Sequence, residues 1–140
     1  MPPPPAILQI LPALISGGVE RGTVEIAEAI TNAGYRALVA SAGGALVKDV
    51  ECAGGIHITL PLATKSPLGI LRNAASLAAI TRRENVAILH ARSRAPAWSA
   101  LLAARRTGAR FVTTYHGTYN EDLPGKRLYN SVMARGERVI

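Results

Sequence analysis

Ile7-Leu8-Gln9-Ile10-Leu11, followed by Ser16-Gly17-Gly18-Val19-Glu20-Arg21-Gly22-Thr23, is the stretch whose reading decides the fold. A short apolar run empties into a glycine turn, and the turn opens into a helical pattern. The order is strand, turn, helix N-terminus. Glycines at such a turn let the backbone approach a ligand closely, and the free N–H groups of a helix start favour an anion, typically a phosphate. A second polar cluster, Thr113-Thr114-Tyr115-His116-Gly117, closes a later apolar strand. Together the two clusters predict a ligand cleft at one edge of an α/β sheet.

Outward from this stretch, short apolar runs alternate with helical ones, the pattern of βαβ units and a Rossmann-like parallel sheet with helices on both faces. Strands are expected at 7–11, 36–40, 56–60, 86–90 and 111–115. Helices are expected at 24–33 before Gly34, at 45–53 before Gly54-Gly55, and from Ser66-Pro67 to Glu84. Two more are expected, at 94–107 before Gly108 and at 126–135 before Gly136, with residues 120–125 a loop. The third helix should expose Arg72, Asn73, Ser76 and Arg83 along one face. Residues 1–5 predict a disordered proline stub, and 6–140 a single domain. Glu137-Arg138-Val139-Ile140 reads as the start of a further strand, which predicts a fragment of a longer protein.

With 140 residues, 49% of them hydrophobic, the chain can bury one core. The single Cys52 excludes an intramolecular disulfide and any multi-cysteine metal site, and it reads as a packing residue at a helix end. His57, His90 and His116 lack paired ligand spacing, so no metal site is expected. No basic segment precedes an apolar run, and Pro12 cuts the first one short, so neither a signal peptide nor a membrane span is expected. The formal charge of +7 is uneven: residues 1–70 hold four basic against five acidic groups, and residues 71–140 hold twelve against four. A basic second half attracts nucleic acid, anionic lipid or phosphorylated substrates, and charge alone does not choose among them.

Three motifs in order carry a resemblance: the strand and Gly-Gly turn, then His90-Ala91-Arg92-Ser93-Arg94, then Thr114-Tyr115-His116-Gly117-Thr118-Tyr119. The chain resembles the N-terminal, acceptor-side domain of GT-B-fold glycosyltransferases of family 4, from Ile7 to Ile140. The resemblance implies half of an enzyme. A second Rossmann-like domain, carrying an E-x7-E pair and most donor contacts, would face this one across a cleft. The implied reaction moves a sugar from a nucleotide-sugar donor to a glycan or lipid-linked acceptor, with retention of configuration and no metal or other cofactor. It also implies a bacterial cell-envelope or polysaccharide role, in the cytoplasm or peripherally on the membrane face, with no nucleic acid partner.

Carried over by position, Gly17 and Gly18 match the loop that approaches the donor diphosphate, where N–H dipoles stabilise the leaving group's growing charge. His116 matches a catalytic histidine facing the transferring sugar. Glu20, Arg21, Arg92, Ser93 and Tyr119 are the candidate acceptor-side residues, with Arg92 and Ser93 suited to an anionic acceptor. Each has a structural alternative: a glycine turn that only reverses the chain, a histidine bonded to a loop carbonyl, a solvated Glu20–Arg21 pair at a helix start, Arg94 lying on its helix surface. Trp98, in an alanine-rich helix, reads as core rather than as a sugar platform. Two other functions stay open, a GT-B-fold sugar-nucleotide epimerase and a non-catalytic doubly wound module that binds anions or nucleotides. Against the module stand the missing G-x-x-x-x-G-K-[ST] and G-x-G-x-x-G loops.

Overall fold

The computed structural model describes residues 4–116 and 125–140. Among the described residues, six parallel strands form one sheet: β1 (Ala6–Ile10), β2 (Arg36–Ser41), β3 (Ile56–Thr59), β4 (Val86–Ala91), β5 (Arg110–Thr113) and β6 (Arg138–Val139). Their order across the sheet is β3-β2-β1-β4-β5-β6. The chain therefore winds outward from β1 in one direction, then returns to the other side of β1 to continue. In an open α/β sheet, the crevice beyond the carboxyl ends of the two strands at such a reversal is where ligands bind. Here those strands are β1 and β4.

Five helices among the described residues connect the strands: α1 (Gly18–Asn32), α2 (Val47–Cys52), α3 (Pro67–Arg83), α4 (Arg94–Thr107) and α5 (Lys126–Asn130), the last running into a 3-10 turn at Ser131–Ala134. Strand β1 is buried on both faces because its side chains alternate between two cores. Leu8 and Ile10 join Leu38, Leu77, Leu89, Leu101, Phe111 and Met133 under α3 and α4. Ile7 packs on the opposite face with Ala27, Ile30, Val39 and Val50, under α1 and α2. The alternation leaves Gln9 on the α1 face, a buried amide in the middle of an apolar strand.

All five expected strands and all five helices are present, with shifted ends. Helix α1 starts six residues earlier than its apolar period suggests, because Gly18 and Gly22 carry no side chain to mark the pattern; Val19, Thr23, Ala27 and Ile30 continue one stripe back to the first turn. Helix α3 begins as expected, with Ser66 Oγ accepting the Gly69 N–H at 3.1 Å and Pro67 at the first helical position. Asn73 is not on its exposed face. It is buried, and its side chain donates to the Pro61 carbonyl at 3.0 Å. Strand β5 ends at Thr113, two residues early, and the last helix splits at Asn130. There the Trp98 indole takes the Tyr129 carbonyl (3.0 Å) and the Thr113 hydroxyl takes the Met133 carbonyl (2.6 Å), drawing acceptors away from regular helix bonding. Cys52 is exposed at the end of α2, not packed in the core. Pro4 and Pro5 accept hydrogen bonds from Arg36.

Candidate functional site

The connection from β1 to α1 is held from below by the connection from β2 to α2. Ala42 N–H donates to Pro12 O, Leu14 N–H to Gly43 O, and Leu46 N–H to Leu14 O, each at 2.9 Å. Gly44 makes this fit possible. At φ +146° it lies against the Leu14 and Ile15 backbone, where any Cβ would collide. Gly17 then caps α1 at φ +127°, its carbonyl accepting the Arg21 N–H at 3.0 Å. Glu20, at the third helical position, folds back so that its carboxylate lies over the Gly17 Cα. A carboxylate is the favoured occupant of a helix N-terminus. The space that a Gly18 side chain would enter is open.

Across the crevice, the end of β4 supplies His90 and Arg92. Gln9 and His90 are register partners on β1 and β4 and so share a face. Arg92 is 6% exposed, and its Nε and Nη2 both donate to Gln9 Oε1, at 3.1 and 2.7 Å. Gln9 Nε2 in turn donates to Thr23 O on α1 at 3.0 Å. One buried amide thus ties β1 to the helix behind it and to the loop after β4. His90 Nε2 lies 2.6 Å from the Thr114 hydroxyl, just past β5.

His90 and Arg92 are buried in this cluster, whereas His116 is exposed. Burial is the largest cause of the His90 pKa falling to about 4, followed by the Arg92 charge and then His116. Burial, and then Arg92, also lower the pKa of His116, while Glu20 opposes the shift. Burial lowers that of Arg92 as well, though a guanidinium stays charged at neutral pH. His90 is therefore neutral at pH 7, and its ring can accept or donate a hydrogen bond.

The sequence profile of Glycosyltransferase Family 4 matches residues 16–140. The chain belongs to glycosyltransferase family 4. This family 4 domain is similar to a solved glycosyltransferase from Rickettsia africae, at 46% identity and TM-score 0.82 over 97% of this chain and 36% of that protein. It also superposes on Acinetobacter baumannii MurG (14% identity, TM-score 0.71, 97% of this chain and 40% of that one). A UDP-N-acetylglucosamine 2-epimerase matches more weakly, at 8% identity and TM-score 0.63 over 98% of this chain and 41% of the other. At such identities the last two show the fold alone. No curated protein sequence matches. The family 4 domain spans well under half the length of these structures, and its sheet has the build of the N-terminal half of a GT-B fold.

Of the site residues expected from sequence, the family 4 domain gathers Gly17, Gly18, Glu20, Arg92 and His116 around the β1–β4 crevice. Ser93, the N-cap of α4, adjoins Arg92 without a capping side-chain bond. Arg21 turns away, lying 3.7 Å from Asp49 on α2 in an exposed ion pair of little energetic weight. Tyr119 lies outside the described residues. Trp98 packs against the core with the Arg135 guanidinium over its ring, and Arg94 bonds Asn130 and stacks on Tyr129. Sequence reasoning missed Gln9 and the His90–Thr114 pair. The signal for Gln9 was present: an amide inside an apolar strand must find a partner.

A separate apolar cavity of about 420 Å³ opens between α3, α4 and α5, lined by Ile70, Leu71, Trp98, Leu102, Leu128 and Tyr129, with Lys65 at its rim. Leu68, Leu71 and Leu128 are exposed beside it. Among the described residues, no helix is long and apolar enough to cross a membrane.

Proposed function

We propose that this domain is the acceptor-side half of a glycosyltransferase that moves a sugar from a nucleotide-sugar donor to a glycan or lipid-linked acceptor. The observation that carries this reading is the 46% identity to a glycosyltransferase across 97% of the chain. A glycine-started helix over the crevice at the sheet's reversal point supports it.

In this reading the N–H groups at Gly17 and Gly18 face the donor diphosphate, taking up the charge that grows as the glycosidic bond breaks. His116 orients the reacting sugar or acceptor hydroxyl. Arg92 and Ser93 meet an anionic group on the acceptor side, with Glu20 at its rim. The reaction retains configuration, and it needs no metal because backbone dipoles at the start of α1 carry the leaving charge. Closure against the donor-binding half excludes water, which would otherwise hydrolyse the donor. The apolar cavity and the exposed Leu68 and Leu71, flanked by Lys65 and Arg72, support an acceptor on a lipid carrier and peripheral contact with an anionic membrane face.

The test is thermal stabilisation of the full-length enzyme by uridine and guanosine diphospho-sugars. A donor at about 100 times its Kd should stabilise the native state by about 2.7 kcal/mol. Stabilisation by none of them would count against the reading.

A further inference from the structure

Arg92 is buried, yet no carboxylate pairs with it among the described residues. Burying a cation without a counter-ion is unfavourable, and among the described residues only the neutral amide of Gln9 answers it. The orientation of that amide is fixed by its neighbours. A guanidinium only donates and a main-chain carbonyl only accepts, so Oε1 must face Arg92 and Nε2 must face Thr23 O. Nε and Nη2 are thereby used. Nη1 bonds to no described residue, and no buried side-chain nitrogen or oxygen among them lacks a partner, so Nη1 lies where solvent reaches it. It is the open edge of a charge otherwise enclosed by protein.

We propose that Arg92 is a preformed subsite for one anionic oxygen of the substrate, phosphoryl or carboxylate, and that Gln9 is its positioning residue. A glutamate in place of Gln9 would fill the same volume but neutralise the guanidinium from within and give up the hydrogen bond to Thr23 O. Glutamine holds the fork in place and leaves the charge for the ligand. The bound anion then supplies the missing counter-ion at the solvent-facing edge of a guanidinium otherwise enclosed by protein, where a charge-assisted bond is strong. The source of that oxygen, donor diphosphate or acceptor, rests on the glycosyltransferase reading; the subsite itself does not.

The experiment is calorimetric titration of the full-length enzyme and its Gln9→Glu variant with uridine diphosphate, guanosine diphosphate and inorganic phosphate, with melting curves to report the fold. If the anion is the donor diphosphate, Gln9→Glu weakens nucleotide binding roughly tenfold to a hundredfold. If it belongs to the acceptor, nucleotide affinity is unchanged, and binding of inorganic phosphate to the nucleotide-saturated enzyme is what Gln9→Glu abolishes. Should Gln9→Glu not fold, Arg92→Gln removes the charge directly and is read the same way. Loss of anion affinity in a Gln9→Glu variant that still folds, matched by the same loss in Arg92→Gln, is an effect that a merely structural glutamine would not produce. Equal affinities for all probes in wild type and a folded variant would overturn the proposal, as would a wild type that binds no probe. Phosphate binding without nucleotide binding would instead remove the glycosyltransferase reading and leave the subsite.

Discussion

Gly18→Ala separates what the α1 N-terminus does for the fold from what it does for a ligand. Gly18 is the first helical residue, its φ is not positive, and no atom lies within 4 Å of where its Cβ would stand. Alanine there adopts the same backbone without collision. It also loses less entropy on folding than glycine, a gain of at most about 1 kcal/mol. The melting temperature of the full-length enzyme should therefore hold or rise slightly. The new methyl group projects into the open space where the donor diphosphate is proposed to lie. Displacing the phosphate from the helix start sacrifices a charge-assisted bond to a backbone N–H, worth about 1.5–3 kcal/mol, and with it part of the dipole term. The expected result is a donor Kd raised roughly tenfold to a hundredfold, measured by calorimetry, with stability preserved. A Kd within about twofold of wild type would refute the placement of the diphosphate at Gly18. Gly17→Ala is the contrasting control: at φ +127° it forces a side chain into left-handed backbone and against Glu20, so it should cost stability first.

Further expectations concern support, catalysis, pH and metal. Gly44→Ala should destabilise by about 2 kcal/mol or more, since it combines a positive φ with contact against the Leu14 backbone; an unchanged chemical-denaturation midpoint would contradict that packing. In the full-length enzyme, His116→Ala should lower turnover roughly a hundredfold while donor affinity changes little, and unchanged turnover would take His116 out of the mechanism. His90 binds its proton near pH 4 when folded and near 6.5 when unfolded. The unfolded chain therefore takes up the proton first, and the His90 contribution, present in full above pH 6.5, is lost as the pH falls toward 4. That loss is about 3 kcal/mol, and His90→Gln should flatten this part of the stability profile; an unaltered slope would show the titration lies elsewhere. Chelation with EDTA should leave turnover intact, and activity that returns only with added magnesium would exclude a metal-free mechanism.

The doubly wound fold was legible because periodicity and punctuation agree along the chain. Pro67 after Ser66, Gly108 after the fourth helix and the short apolar strands each leave a local mark that no distant contact erases. Boundaries failed where the deciding contact is distant. The Trp98 indole and the Thr113 hydroxyl reshape the last helix from other elements, and Asn73 is buried because a carbonyl at Pro61 awaits it. The site followed the same division. The candidates Gly17 and Gly18 stand at the start of α1 and His116 past the end of β5, positions that residue order suggests. The Gln9–Arg92 pair spans 83 residues of sequence, and only the adjacency of β1 and β4 brings it together.

That adjacency also changes what the charge of the second half means. Of its twelve basic side chains only Arg92 is buried. Several of the others have local partners: Arg110 faces Glu137, Arg82 bonds the Arg106 carbonyl, and Arg135 lies over Trp98. Exposed charges of this kind are screened within about 8 Å at physiological salt. A nucleic-acid surface needs many of them aligned along one groove. Arg92 works by the opposite principle, as one buried cation whose field adds to the effect of burial in lowering the His90 and His116 pKa values. A bound anion would cancel that field and raise both histidine pKa values together. The imidazole of His116 would then become a better base when the substrate arrives than it is in the empty crevice.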